Sequence, residues 1–365
     1  MTITLTKPVQ NKQTPLWELE PDNTTGIFPT TRYQGSKNKI VDWIEYFTKD
    51  LEFETVLDAF GGTGSVSYML KKAGKQVFYN DYLQFNTIIG QALIENNDVF
   101  LEDKDLDFLF TKHSSIEYQT FIFDNFHDIY FTDEENEWLD LIVTNIHHIE
   151  NKYKKALAFF ALFQACIIKR PYNLFHRKNL YVRTAKVERS FGNKKTWDTP
   201  FEKHFIKFVE QGNNAIFDNG KQNLSFNGDV FDWNFITPDL VYIDTPYIAQ
   251  NGVGVNYFDF YHFLEGLTKY EKWGEMIDME TKHKKIKNGK NEWCKKGEIH
   301  QAFENLFTKF KDSKLVISYR DDGIPSTEEL IGILEKLGKK VEVKKMDYKY
   351  VLSNKKSKEV LIIAV

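Results

Sequence analysis

Apolar and polar residues follow two rhythms along this chain, and the places where one gives way to the other outline its architecture. Thr55-Val56-Leu57-Asp58-Ala59-Phe60 is a short apolar run, the length of a buried strand, and it leads straight into Gly61-Gly62-Thr63-Gly64. Ser65 to Lys72 then has helical spacing and stops before Gly74, Gln76 to Asp81 predicts a second strand, and about Leu83 to Glu95 a second helix. A strand, a glycine turn, a helix and a strand in that order open a parallel α/β sheet.

From about Asn97 to Asn214 the strand rhythm stops. Helical segments such as Tyr153 to Ile168 alternate there with a polar stretch rich in Arg, Lys and aromatic residues. Strands return at Asn223 to Asp229, Leu240 to Asp244 and Lys314 to Tyr319, followed by a helix over Thr327 to Leu337. Val341 to Leu352 and Glu359 to Val365 predict an antiparallel hairpin at the sheet edge, which completes a seven-stranded sheet with five parallel members. Residues 1–28 are polar, aperiodic and carry Pro8, Pro15 and Pro21, the pattern of a flexible arm. The expected organisation is therefore an arm over 1–28, an α/β domain built from 29–96 and 215–365, and a mainly helical insertion over 97–214.

Composition narrows the class. With 27% charged residues and a mean hydropathy of −0.47, the chain reads as a soluble globular protein, and no run approaches the roughly 18 apolar residues of a membrane helix. The N-terminus lacks a signal-peptide layout, so the cytoplasm is the expected location. Cys166 and Cys294 stand far apart and in no Cys/His cluster; neither a disulfide framework nor a metal site is expected. A net charge of −4 argues against nucleic-acid binding over the whole surface, but a local basic cleft remains compatible with it.

The candidate chemistry lies at strand ends. Asp58, Phe60, Gly61, Gly62 and Gly64 sit where an open α/β sheet binds ligands, and glycines there let a ligand approach the backbone. A dinucleotide fingerprint would place a third glycine at Ser67, and Asp81 at the end of the next strand suits the hydroxyls of any ribose. Upstream, Arg32-Tyr33-Gln34-Gly35-Ser36-Lys37 opens a helix, where an N-terminus and a lysine suit a small carboxylate. Downstream, Leu240-Val241-Tyr242-Ile243 delivers Asp244-Thr245-Pro246-Tyr247: a carboxylate, a proline-stiffened turn and an aromatic ring.

In this order, these pieces resemble the D12-class, Dam-like adenine-specific DNA N6-methyltransferases. Asn80-Asp81, Asn227-Gly228-Asp229 and Ser318 to Ser326 match as well, so the resemblance spans about residues 31–365. It implies a Rossmann-like S-adenosylmethionine-dependent methyltransferase sheet with an inserted DNA-recognition domain. It also implies that Tyr33 and Lys37 contact the methionine part of S-adenosylmethionine, that Phe60 and the glycines line it, that Asp81 binds its ribose and that Asp229 accepts from its adenine amino group. Asp244, the backbone of Thr245 and Pro246, and Tyr247 would hold the target base. The family pattern is usually Asp-Pro-Pro-Tyr; Thr245 supplies the same main-chain carbonyl but lacks the fixed φ of proline.

Such chemistry needs no metal, because a methyl on a sulfonium is already electrophilic. It needs an oriented nitrogen, which two acceptors, the Asp244 carboxylate and the residue-245 carbonyl, can provide. A base inside double-stranded DNA must first be flipped out. In the insertion, Lys169 to Trp197 mixes Arg, Lys, Asn and aromatics with few acids, which makes Arg177, Lys178, Arg183, Arg189, Lys194 and Lys195 candidate DNA contacts, with Lys282 and Lys284 as a second set. A cognate restriction endonuclease is a possible partner on this reading. The rivals are an RNA adenine or protein-glutamine methyltransferase, an NAD-dependent enzyme, and a DNA-binding relative that is catalytically weak.

Overall fold

The computed structural model describes residues 26–186, 194–249, 252, 254–287, 291–348 and 357–365. Arg189 and residues 1–25 of the expected arm lie outside the described residues. Residues 26–28 belong to the body: Ile27 N–H donates to the Asn214 carbonyl at 3.3 Å, and the Phe28 ring packs 5.1 Å from that of Tyr68.

The strands are β1 (Thr55–Asp58), β2 (Gln76–Asp81), β3 (Leu224–Asn227), β4 (Leu240–Ile243), β5 (Ile248–Ala249), β6 (Lys314–Arg320), β7 (Gly323–Ile324), β8 (Val341–Tyr348) and β9 (Ser357–Ala364). Seven of them form one sheet in the order β3-β2-β1-β4-β6-β9-β8. The first five run parallel, and β9 lies antiparallel between β6 and β8. Strands β5 and β7 pair in a separate two-stranded ribbon.

Strand order reverses between β1 and β4, which opens a crevice at the carboxyl ends of both strands. Register places the functional residues there. Asp58 lies opposite Tyr79 on one side and Tyr242 on the other, and Asp81 lies opposite Asn227. The acids that end β1 and β2, and Asp244 just past β4, therefore emerge from one edge of the sheet.

The central strands β1, β2, β4, β6 and β9 are buried on both faces, which explains why they read as largely continuous apolar runs. Val56, Val77, Tyr79, Leu240, Tyr242 and Val316 enter one core. Leu57, Phe78, Val241, Ile243, Leu315 and Ile317 enter the other, beneath the helices Ile299–Lys309 and Thr327–Lys336.

The insertion is not separate from this arrangement. Its helix Lys152–Ile168 is buried without a break from Ala156 to Ile168, and it packs against the helices Gln84–Gly90 and Phe201–Asn214 within the first core. A helix that is apolar on every side needs partners on every side, and part of its cover comes from the elements lying on the sheet. The boundary expected at residue 97 therefore separates sequence rhythms but does not separate hydrophobic cores.

Candidate active site

The reversal point carries a cleft, and the sequence motifs meet in it. Tyr33, Lys37, Asp58, Phe60, Gly61, Gly62, Asp81, Asp229, Asp244, Thr245, Pro246 and Tyr247 all line it. Gly64 does not. It sits at φ +76° as the N-cap of the helix Ser65–Lys72, so its part is to make the turn. Gly61 has a different constraint: a Cβ there would lie 2.1 Å from the ring of Tyr79, which packs beneath the loop and donates its hydroxyl to the Gly62 carbonyl at 2.7 Å.

Buried acids give this half of the cleft its character. Asp81 accepts from Gly62 N–H at 2.9 Å and Leu83 N–H at 2.8 Å, which fixes its plane and leaves lone pairs for a ligand. Burial pushes its carboxyl up to about 6, against the pull of those amides. Asp58 Oδ2 accepts from Ser67 Oγ at 2.6 Å, while Oδ1 is buried with no partner. Burial raises the Asp58 carboxyl to about 7, despite the Ser67 bond. Asn86 Oδ1, also at the cleft, is a second buried acceptor without a partner. Asn80 Nδ2 ties the ends of β1 and β3 together through Ala59 O at 3.1 Å and Gly228 O at 3.3 Å. Asp229 caps the next turn, accepting from Phe231 N–H at 3.0 Å.

The other half is built around Asp244. Lys37 Nζ lies 3.2 Å from Asp244 Oδ1 and 2.8 Å from Glu359 Oε1. The lysine that the motif resemblance assigned to the methionine part of the cofactor thus lines the cleft while bridging the turn after β4 to β9. Burial raises the Asp244 carboxyl to about 6; Lys37 pulls it down and Glu359 pushes it up. Thr245 Oγ1 is buried and unpartnered. The Tyr247 ring carries the Arg320 guanidinium 4.6 Å from its centroid, and Asp322 pins that guanidinium with two bonds of 2.7 Å.

Tyr257 and Trp293 line the cleft without having carried a motif. Tyr33 stacks on Tyr257 and Tyr261, with centroids 5.6 Å and 4.5 Å away, and joins the glycine-loop half to the helix Tyr257–Thr268. Trp293 meets Phe60 edge-on at 5.2 Å and brings the turn Glu292–Cys294 over the cleft. An isolated tryptophan after a charged stretch was the one available signal for it.

The basic segment divides sharply. Arg177, Lys178, Lys194, Lys195 and Lys282 are exposed, although Lys178 pairs with Asp128 at 3.0 Å and Lys194 with Asp198 at 2.9 Å; Lys284 is half-buried. Arg183 corrects the expectation that placed it on DNA. It is buried, grips both Glu135 oxygens at 2.9 Å and 2.7 Å, and donates to Trp197 O at 3.3 Å. Lys169 joins the same glutamate at 2.7 Å. Burial alone would raise the Glu135 carboxyl, but Arg183 and Lys169 hold it below its ordinary value. Arg170 is also internal, donating to the carbonyls of Leu174, Tyr130 and Arg177. The two candidate basic stretches are neighbours: the Tyr130 hydroxyl lies 2.9 Å from His283 O, and Phe175 N–H donates to Phe260 O at 2.9 Å, in the helix whose first turn lines the cleft.

Among the described residues, no group of three or more His, Cys, Asp or Glu could hold a metal ion, and no helix is long and apolar enough to cross a membrane. Cys166 is buried, Cys294 half-buried, and both are free.

Comparison with known proteins agrees with this geometry. The chain is 34% identical over 340 residues to the type II methyltransferase M2.HphI of Haemophilus parahaemolyticus, an alignment covering 91% of this chain and 95% of that protein. It is 26% identical to the modification methylase StsI of Streptococcus sanguinis, over 90% of this chain and 51% of that one. It is 27% identical to the type II methyltransferase M.FokI of Planomicrobium okeanokoites, over 89% of this chain and 50% of that one. The sequence profile of the D12 class N6 adenine-specific DNA methyltransferases matches residues 33–333. With its strand-end acids and Asp244 turn gathered in one cleft, this chain belongs to the D12 class N6 adenine-specific DNA methyltransferase family.

Proposed function

We propose that this DNA methyltransferase transfers a methyl group from S-adenosylmethionine to the N6 of an adenine in double-stranded DNA, with the base flipped out into the Asp244 half of the cleft. The observation that carries the reading is the continuity of the cleft. A glycine loop with two strand-end carboxylates lies on one side, and an acidic, proline-stiffened, aromatic turn lies on the adjacent strand end.

The residues present fit the donor. The unpartnered Asp58 Oδ1 is a buried acceptor suited to a cationic amino group, Asp81 keeps lone pairs for ribose hydroxyls, and Asp229 at the end of β3 suits an adenine amino group. Bound S-adenosylmethionine supplies a methyl already activated on a sulfonium. The chain's own work is orientation. Adenine N6 is a weak nucleophile, since its lone pair is delocalised into the ring. Asp244 and the Thr245 carbonyl, each accepting one N6 hydrogen, favour a tetrahedral nitrogen and stabilise the positive charge that develops on it. Tyr247 stacks on the extruded ring and recovers about 1–3 kcal/mol of the cost of flipping. Arg177, Lys178, Lys195 and Lys282 supply phosphate or base contacts on the exposed basic surface.

The named relatives are modification enzymes, and a cognate restriction endonuclease is the proposed biological partner, with both acting in the cytoplasm. The deciding experiment incubates the protein with labelled S-adenosylmethionine and unmethylated DNA, then maps modified bases by single-molecule sequencing. Methyl-adenine at one short sequence is the expected result; label on cytosine, or none on DNA, would refute it.

A further inference from the structure

Glu359 has no part in the chemistry described so far, yet it occupies an unusual position. It lies on β9, in register with Arg320 of β6, and its side chain is 0% exposed. Its sequence neighbours Val360, Leu361 and Ile362 fill the two cores, as expected for a strand buried on both faces. A carboxylate there loses its hydration and is a stable choice only if its partners compensate. Those partners are specific: Oε1 accepts from Ser318 Oγ at 2.8 Å and meets Lys37 Nζ at 2.8 Å, and the same ammonium lies 3.2 Å from Asp244 Oδ1.

The charges make the arrangement meaningful. Asp244 with Lys37 alone is a neutral pair, and a neutral pair is a poor match for a nitrogen that gains positive charge in front of a sulfonium. Glu359 offsets the lysine's charge, so that these three groups together carry one net negative charge. It also gives the lysine a second carboxylate to hold, so that the ammonium stays on Oδ1 and Oδ2 is the oxygen left for the base.

We propose that Glu359 is a positioning residue for methyl transfer, which holds the Lys37 ammonium on one oxygen of Asp244 and offsets that ammonium's charge beside it. The inference rests on reading Asp244 as an acceptor of the N6 hydrogens. Among the described residues, the charged and titratable groups facing Asp244 are Lys37, Glu359, Asp58 and the phenols of Tyr242 and Tyr257, with Tyr247 and its Arg320 at the rim. Among them, Lys37 favours the ionised Asp244 and Glu359 disfavours it. Their removal must therefore move the acid limb of the pH profile in opposite directions.

The test uses the full chain, S-adenosylmethionine and unmethylated DNA, with methyl incorporation measured from pH 5 to pH 9 for wild type, E359Q, E359D, K37M and D244N. In E359Q, kcat is expected to fall about tenfold at the plateau while KM for donor and DNA stays within about twofold, and the acid limb to move about one pH unit lower. E359D should return the limb to its wild-type position and recover most of the turnover. In K37M the limb should move to higher pH. An E359Q enzyme with wild-type turnover beside an inactive D244N overturns the proposal and leaves the role of Asp244 standing. So does an E359Q enzyme that loses turnover and melts lower with its limb unmoved, the mark of a merely structural glutamate. If E359Q fails to fold, K37M decides, and an unmoved limb overturns the proposal. Wild-type turnover by D244N would remove the reading of Asp244 and this inference with it.

Discussion

The strand-end cleft and the basic segment after residue 168 were singled out by equally conspicuous patterns, and the structure treats them very differently. Of thirteen residues assigned to the cleft, all but Gly64 line one cavity. In the basic segment, Lys169, Arg170 and Arg183 are internal, whereas Arg177 and Lys178 face solvent. The contrast has a physical origin. A residue that ends a parallel strand is delivered to the ligand edge by topology, whatever its side chain does. A cation in a short irregular stretch can point either way, and a half-buried glutamate such as Glu135 draws it inward with a bidentate pair.

The sharpest way to break this comparison is to exchange an inward cation for an outward one. Arg183→Gln leaves the half-buried Glu135 to Lys169 alone and should destabilise the fold by about 3 kcal/mol, the upper range for losing hydrogen bonds to a charged group. Arg177→Gln should change stability by no more than about 0.5 kcal/mol, as surface substitutions do. Urea unfolding of both variants checks this, and equal stability would mean that Arg183 is not held as the structure shows.

Within the cleft the largest expected effect belongs to Asp244. Asp244→Ala should lower kcat by about 10²–10³-fold, comparable to losing one group of an oxyanion-hole-type site, with donor affinity and melting temperature close to wild type. Its pH dependence follows from burial. With the carboxyl raised to about 6, kcat of the wild type at saturating donor, which sets aside the donor-binding Asp58 and Asp81, should be flat above pH 7 and fall as the pH drops through about 6, where protonation removes the acceptor. A profile flat to pH 5 would assign the acceptor role to another group. Asp81→Asn is a milder change. It keeps the shape but weakens bonds to ribose, so calorimetry should find donor affinity reduced by about 1–3 kcal/mol with kcat at saturation little altered.

What the sequence made legible was whatever depends on topology. The five parallel strands, the terminal hairpin and the edge carrying Asp58, Asp81 and Asp244 follow from apolar runs and their glycine or proline exits. What it hid depends on contacts between distant segments. Lys37 meeting Asp244 and Glu359 joins three elements that have no shared local pattern. Trp293 reaches Phe60 through a turn that follows a charged loop. The helix Lys152–Ile168 was legible as a helix, but its burial in the core shared with the sheet was not, because an all-round apolar helix does not say which neighbour covers it. Arg183 was misread for a related reason: Glu135, its partner, lies in another helix, 48 residues away.

The smallest expected effect concerns the exposed cations, and it tests whether outward placement means contact with DNA. Arg177, Lys178, Lys195 and Lys282 are exposed, and packing around Tyr130 and Phe175 brings the stretches holding Arg177 and Lys282 together beside the helix that lines the cleft. Each cation that neutralises a phosphate releases a condensed counterion, so its loss should flatten the slope of log K against log salt by about 0.9. Replacing all four with Gln should weaken DNA binding more at 50 mM than at 200 mM salt, while donor affinity, melting temperature and the methylated sequence stay as they were. A residue that reads a base edge behaves otherwise: its single replacement leaves the slope nearly unchanged and relaxes the choice at one position by about 1–3 kcal/mol. An unchanged slope in the quadruple variant, with unchanged site preference, would show that facing solvent is not enough, and that the DNA-contacting surface has to be sought away from these four positions.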